Sequence, residues 1–196
     1  MTAKKRVAIL ISGRGSNMSA LIDAARASDY PAQIVGVLSN RADAGGLVVA
    51  AAAGIRTAIL PHQDFASREA FDAALDEVLA GWKIEIVCLA GFMRLLTPGF
   101  TRKWEGRMIN IHPALLPAFK GLHTHEQALA AGVAEHGCTA HFVTAGMDEG
   151  PIIAQSRVAI LPGDTAETLA ARVLIEEHRL YPQALAAVAR GAVTLG

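Results

Sequence analysis

Residues 84–90 (IEIVCLA) form an apolar run that lacks the polar alternation of a half-solvated strand. A strand of that kind has to be covered on both faces, which is the signature of a parallel sheet between helices. The rest of the chain follows the same plan. Residues 7–11, 34–38 and 57–60 predict strands. Residues 16–26, 44–53 and 67–79 predict the helices between them, the last through Phe71, Leu75, Val78 and Leu79 at helical spacing. Residues 108–111 form a fifth strand ended by Pro113, and Thr124 is expected to open a helix with Gln127 as its capping-box partner. Two further strands, 139–144 and 152–160, flank the loop 146–151. A last helix, with Asp164 and Glu167 in cap positions, runs to about Arg190 with Pro182 as its one point of kinking. No repeat, low-complexity tract or linker interrupts the pattern. The expected fold class is α/β, one domain over residues 1–196 with a mostly parallel central sheet.

A chain of 196 residues can bury roughly 70% of its unfolded surface and needs no disulfide or metal staple. Formal net charge is zero, which argues against nucleic-acid or membrane partners and leaves small molecules as the expected ones. Cys88 and Cys138 lie in apolar sequence without C-x-x-C spacing, as buried thiols of a reducing compartment do. The basic start, Met1 to Arg6, precedes an apolar run that stops at Ser12 after a few residues, too short for a signal peptide or a membrane span. A soluble cytoplasmic protein is expected.

Ser12-Gly13-Arg14-Gly15-Ser16-Asn17 follows the first strand and opens a helix. Glycines allow the sharp turn, and the free amides of a helix N-terminus form an anion site. A dinucleotide fingerprint would need Gly or Ala where Met18 stands, and an acidic residue where the second strand ends in Ser39-Asn40. A P-loop would need Gly-Lys-Ser/Thr. Two alternatives remain: a single-phosphate cradle with Ser16 and Asn17 as donors, or a plain turn capped by one of them.

Asn110 and His112 are two apart on the fifth strand, so they share a face, at the carboxyl end where open α/β sheets bind ligands. An amide N–H can stabilise a developing oxyanion, worth about 2.7–4 kcal/mol, and an imidazole beside it can move a proton, worth roughly two to four decades in rate. Taken alone, such a pair more often serves loop backbone groups than catalysis. Gly146-Met147-Asp148-Glu149-Gly150-Pro151 adds an acidic pair able to reach back to the imidazole and stabilise its cationic form. No serine elbow or reactive-cysteine setting points to an acyl-enzyme route.

Residues 7–17 (VAILISGRGSN), 87–96 (VCLAGFMRLL), 109–125 (INIHPALLPAFKGLHTH) and 141–152 (HFVTAGMDEGPI) together resemble the phosphoribosylglycinamide formyltransferases of purine biosynthesis. The likeness covers nearly the whole chain with compatible spacing. It implies a Rossmann-like formyltransferase domain with an antiparallel C-terminal portion, whose N-terminal half binds phosphate and whose C-terminal half binds folate and catalyses. It implies 10-formyltetrahydrofolate as co-substrate without a metal, and a monomer or weak homodimer. Asn110, His112 and Asp148 match the triad of the wider superfamily. Gly15, Ser16 and Asn17 would cradle the phosphate of the ribonucleotide and Glu177 would contact its ribose. Arg68, Met93, Arg94, Leu95, Leu96 and Asn110 would hold the folate. Without the resemblance, Met93, Leu95 and Leu96 would be expected as ordinary core at a strand end.

His123 and His125 lack the third ligand a zinc site needs unless Asp148 supplies it; they are expected to line the site beside a helix capped by Thr124. His62, His136 and His178 are left as surface or packing residues. Ala114 and the run Ala118-Phe119-Lys120 depart from the family pattern, which puts a hydrogen bond from position 114 and a charge contact from position 118 in doubt. The rivals within the superfamily are formyltetrahydrofolate deformylase, which carries an additional N-terminal domain, and methionyl-tRNA formyltransferase, which carries an RNA-binding one. A rival outside it is a catalytically silent nucleotide-binding module, which need not keep the triad together.

Overall fold

The computed structural model describes residues 3–195, so Met1, Thr2 and Gly196 of the expected domain lie outside the described residues. In chain order the elements are β1 (Lys5–Ile11), α1 (Ser16–Ala25), β2 (Ala32–Ser39), α2 (Gly45–Ala52), β3 (Arg56–Ile59), α3 (Arg68–Gly81), β4 (Ile86–Leu89), α4 (Pro98–Lys103), β5 (Met108–His112), α5 (Thr124–Ala130), β6 (Glu135–Phe142), β7 (Ile152–Ala159) and α6 (Ala166–Ala189). A short 3-10 turn, His62–Asp64, separates β3 from α3.

The strands form one seven-stranded sheet in the order β3-β2-β1-β4-β5-β6-β7. The first five pair in parallel, while β5 with β6 and β6 with β7 pair antiparallel. Alternate residues of each strand enter different cores. Val7, Ile9 and Ile11 pack with Met18 and Leu21 of α1 and Tyr181 of α6, while Ala8 and Leu10 pack with Phe71, Leu75 and Leu79 of α3 and Phe100 of α4. Both faces are therefore covered, which is why β1 and β4 carry no polar stripe. The strand order reverses between β1 and β4, so the loops after these two strands flank the crevice where sheets of this kind bind ligands.

Three local expectations are corrected. Helix α4 was not predicted, although Thr97 caps it by accepting the Phe100 N–H and Pro98 starts it; at six residues it is too short to show a periodicity. Thr124 is the first residue of α5 and not its cap. The cap position falls on His123 in a left-handed conformation, and the Thr124 hydroxyl instead donates to Pro113 O at 2.6 Å. On α6 the capping box is made by Thr165 and Thr168, not by Asp164 and Glu167. Asp164 is drawn into two hydrogen bonds from Arg172, and these hold its carboxyl well below the usual carboxylate range. The helix continues past Pro182, whose carbonyl accepts from the Tyr30 hydroxyl.

Candidate active site

Asn110 and His112 stand on β5 on the same face as Met108, which packs in the α3–α4 core. The antiparallel partner sets what faces them: Asn110 pairs with His141 and His112 with Thr139. His141 is buried, and its Nδ1 faces the Phe142 carbonyl at 2.8 Å. A carbonyl only accepts, so Nδ1 carries the proton and Nε2 is left as an acceptor for the Asn110 amide N–H at 3.2 Å. Burial depresses the His141 pKa, against the opposing pull of the Phe142 carbonyl and Asp148, which fits a neutral ring. This histidine thereby fixes which way the Asn110 amide points.

Asp148 reaches the same place from the loop between β6 and β7, held with φ +52°. Its Oδ2 accepts the Gly121 N–H at 2.9 Å and lies 3.5 Å from His112 Nδ1, while Oδ1 lies 3.8 Å from His141 Nε2. The other nitrogen of His112, Nε2, donates to the Phe119 carbonyl at 2.9 Å. One ring nitrogen of His112 thus bonds a carbonyl, while the other faces the Asp148 carboxylate at ion-pair distance. Asn110, His112 and Asp148 are brought together. Lys120 pairs with Glu149 at 2.9 Å, a charge contact between the two flanking loops from position 120 rather than 118. At position 114 the backbone carbonyl accepts the Thr139 hydroxyl at 2.6 Å.

The glycine loop leaves β1 at the crevice. Gly15 adopts φ +73°, open to glycine at little cost, and makes the turn into α1; no side chain caps that helix, so neither Ser16 nor Asn17 plays the plain capping role. A Cβ on Gly46 of α2 would lie 3.1 Å from the Gly13 carbonyl, so the two loops meet backbone to backbone. The first amides of α1 are left without intrahelical partners, as an anion site requires. Ser16 is exposed. Asn17 Nδ2 donates to Glu177 Oε2 of α6 at 2.9 Å, and its own Oδ1 is buried without a partner among the described residues. Burial raises the Glu177 pKa, partly offset by that bond.

The loop after β4 lies across the crevice. Met93 and Leu95 are 68% and 56% exposed, so they are not strand-end core, while Arg94 and Leu96 are half-buried. The Arg94 guanidinium lies over the Phe71 ring at 4.4 Å. Arg68 is exposed on the first turn of α3 and has no hydrogen-bond or ion-pair partner among the described residues. His123 is exposed near Glu126, whereas the His125 ring meets His136 edge-on at 5.1 Å. His136 is fully buried, and burial, with the neighbouring His125, pushes its pKa down to about 4 against the opposing pull of the Pro113 backbone. It is a packing residue. His141 is the residue that sequence reasoning missed, because only the β5–β6 register assigns it to Asn110.

Residues 5–185 match the family model described as Formyl transferase. The Trifunctional purine biosynthetic protein adenosine-3 of Bos taurus is 54% identical over 193 residues, covering 98% of this chain, which spans only 19% of that relative's length. The Phosphoribosylglycinamide formyltransferase of Escherichia coli (strain K12) is 45% identical over 185 residues, covering 94% of this chain and 87% of that protein. The crystal structure of Phosphoribosylglycinamide formyltransferase from Brucella melitensis superposes with a TM-score of 0.92 at 58% identity, covering 95% of this chain and 96% of that one. By the match along its length and the fold it shares with such relatives, this chain belongs to the formyl transferase family.

Proposed function

We propose that the chain transfers the formyl group of 10-formyltetrahydrofolate to the amine of 5-phosphoribosylglycinamide, giving the formylglycinamide ribonucleotide and tetrahydrofolate. The observation that carries this is the meeting of an amide, an imidazole and a carboxylate at the end of β5, with Asp148 Oδ2 3.5 Å from His112 Nδ1, on the edge the glycine loop and the 91–97 loop share. The N-terminal half supplies the phosphate cradle at Gly15, Ser16 and Asn17, with Glu177 closing it from α6. The C-terminal half supplies the catalytic group. Arg68, Met93, Arg94, Leu95, Leu96 and Asn110 hold the folate, and the exposure of Met93 and Leu95 supports an apolar wall for a flat ring. No metal takes part.

In the reaction the amine nitrogen attacks the formyl carbon and a tetrahedral intermediate forms. The Asn110 N–H and the His112 imidazolium stabilise the oxyanion. The bond from carbon to folate N10 then breaks; the amine loses one proton and N10 gains one, so charge and atoms balance. The Asp148 carboxylate faces the ring from its Nδ1 side at 3.5 Å, opposite in charge to the imidazolium. The His112 Nε2–H, which donates to the Phe119 carbonyl, is the N–H that would hydrogen-bond the substrate oxygen in its place. Holding both substrates in one crevice is worth roughly 7–11 kcal/mol. The test is to incubate the protein with 10-formyltetrahydrofolate, with and without the ribonucleotide, and follow folate absorbance. Amine-dependent turnover is expected. Turnover without the amine would mean a hydrolase, and none a silent binding module.

A further inference from the structure

The 91–97 loop presents Met93 and Leu95 to solvent, while Phe92 and Leu96 of the same loop pack against the apolar core at α3. Three attachments hold it open. At its start the Met93 N–H donates to the Ser12 hydroxyl at 2.7 Å, which in turn donates to Asn40 Oδ1 at 2.6 Å. In its middle Phe92 stacks on Phe71 with ring centroids 6.4 Å apart, and Arg94 covers Phe71 as well. At its end the Thr97 N–H donates to Asp72 Oδ2 at 2.7 Å, and Thr97 in turn caps α4.

Asp72 is the unusual member. It is 4% exposed, next to Phe71 on the buried side of α3, and its Oδ1 has no partner among the described residues. A carboxylate with one free buried oxygen is costly, and the single bond it accepts does not fill its capacity. What that bond does secure is position: a charged acceptor on a rigid helix fixes a backbone N–H more firmly than a neutral one. We infer that Asp72 is a positioning residue for the folate: it touches no substrate, and through Thr97 it sets the height and angle at which Met93 and Leu95 meet the ring. This rests on the proposal that the loop holds the folate.

The test uses the full chain carrying Asp72→Ala or Asp72→Asn, a non-reactive 10-substituted folate analogue, the ribonucleotide, and amide hydrogen exchange across residues 91–97. Asp72→Ala is expected to weaken the analogue by about tenfold and leave the ribonucleotide unchanged, with faster exchange at Thr97. Asp72→Asn keeps a neutral acceptor oxygen for Thr97, and is expected to fall between, at about threefold; it carries the test should the alanine variant fail to fold. A merely structural role would weaken both ligands alike or lower only the unfolding midpoint, and either result overturns the inference. Unchanged analogue affinity and unchanged Thr97 exchange in folded variants overturn it too. If the wild-type protein binds no folate analogue, the proposed function fails and this role falls with it; if the wild type binds and the variants bind equally well, only the role of Asp72 fails.

Discussion

Replacing His141 by Phe keeps an aromatic ring, slightly larger, and removes both nitrogens. In the fold, Nε2 accepts from the Asn110 amide at 3.2 Å and Nδ1–H donates to the Phe142 carbonyl at 2.8 Å. The carbonyl lies in a buried strand, and stranding it costs about 1–3 kcal/mol of stability. Asn110 is half-buried and recovers part of its loss through water. Its amide, however, is then free to turn over and present oxygen instead of N–H to the developing oxyanion. Complete loss of such a donor costs about 2.7–4 kcal/mol of transition-state stabilisation. An amide that is correctly oriented only part of the time loses less, so kcat is expected to fall about 10- to 100-fold with both KM values nearly unchanged. His141→Gln restores an acceptor for Asn110 and a donor for Phe142, and is expected to recover much of the rate. Steady-state folate absorbance with each substrate varied in turn, beside a urea titration, reads both effects. A folded His141→Phe protein whose kcat lies within about twofold of wild type would refute the orienting role.

Asp148→Asn keeps an acceptor for Gly121 and tolerates the left-handed backbone while removing the charge; turnover is expected to fall by about two to four decades, with binding of both substrates nearly retained. Near-normal turnover would remove Asp148 from the mechanism. Glu177→Ala frees the Asn17 amide from its one side-chain bond among the described residues, and is expected to raise the ribonucleotide KM about tenfold while leaving the folate KM alone; equal effects on both would contradict the cradle assignment. His136 has a folded pKa of about 4 against 6.5 for the exposed ring, so the unfolded chain takes up a proton that the folded chain refuses. Its contribution is therefore present above about pH 6.5 and lost as pH falls toward about 4, and His136→Phe should flatten that part of the stability curve in urea titrations.

The parallel sheet was legible because burial on both faces leaves continuous apolar runs such as residues 84–90, and the structure gives strands where those runs lie. The ends of helices were less legible. Thr124 and Asp164 look like caps locally, but Thr124 is taken by Pro113 O and Asp164 by Arg172, partners that chain spacing does not reveal. Asn110 and His112 could be placed on one strand face from spacing alone. Asp148 could be named only by resemblance, since its reach across the β6–β7 loop depends on a left-handed backbone and the Gly121 amide. His141 was hidden because its role comes from strand register, and Asp72 because a single carboxylate in a helix reads as a solvated residue until its burial is seen.

The most direct measurement of the central claim follows the formyl carbon itself. A donor carrying an isotopic label in its formyl group is incubated with the ribonucleotide and the protein, and the products are read by carbon NMR. Label is expected on the glycinamide nitrogen, appearing only when donor and amine are both present and abolished in His112→Ala. Label released as formate, or remaining on the folate in the presence of the amine, would contradict it.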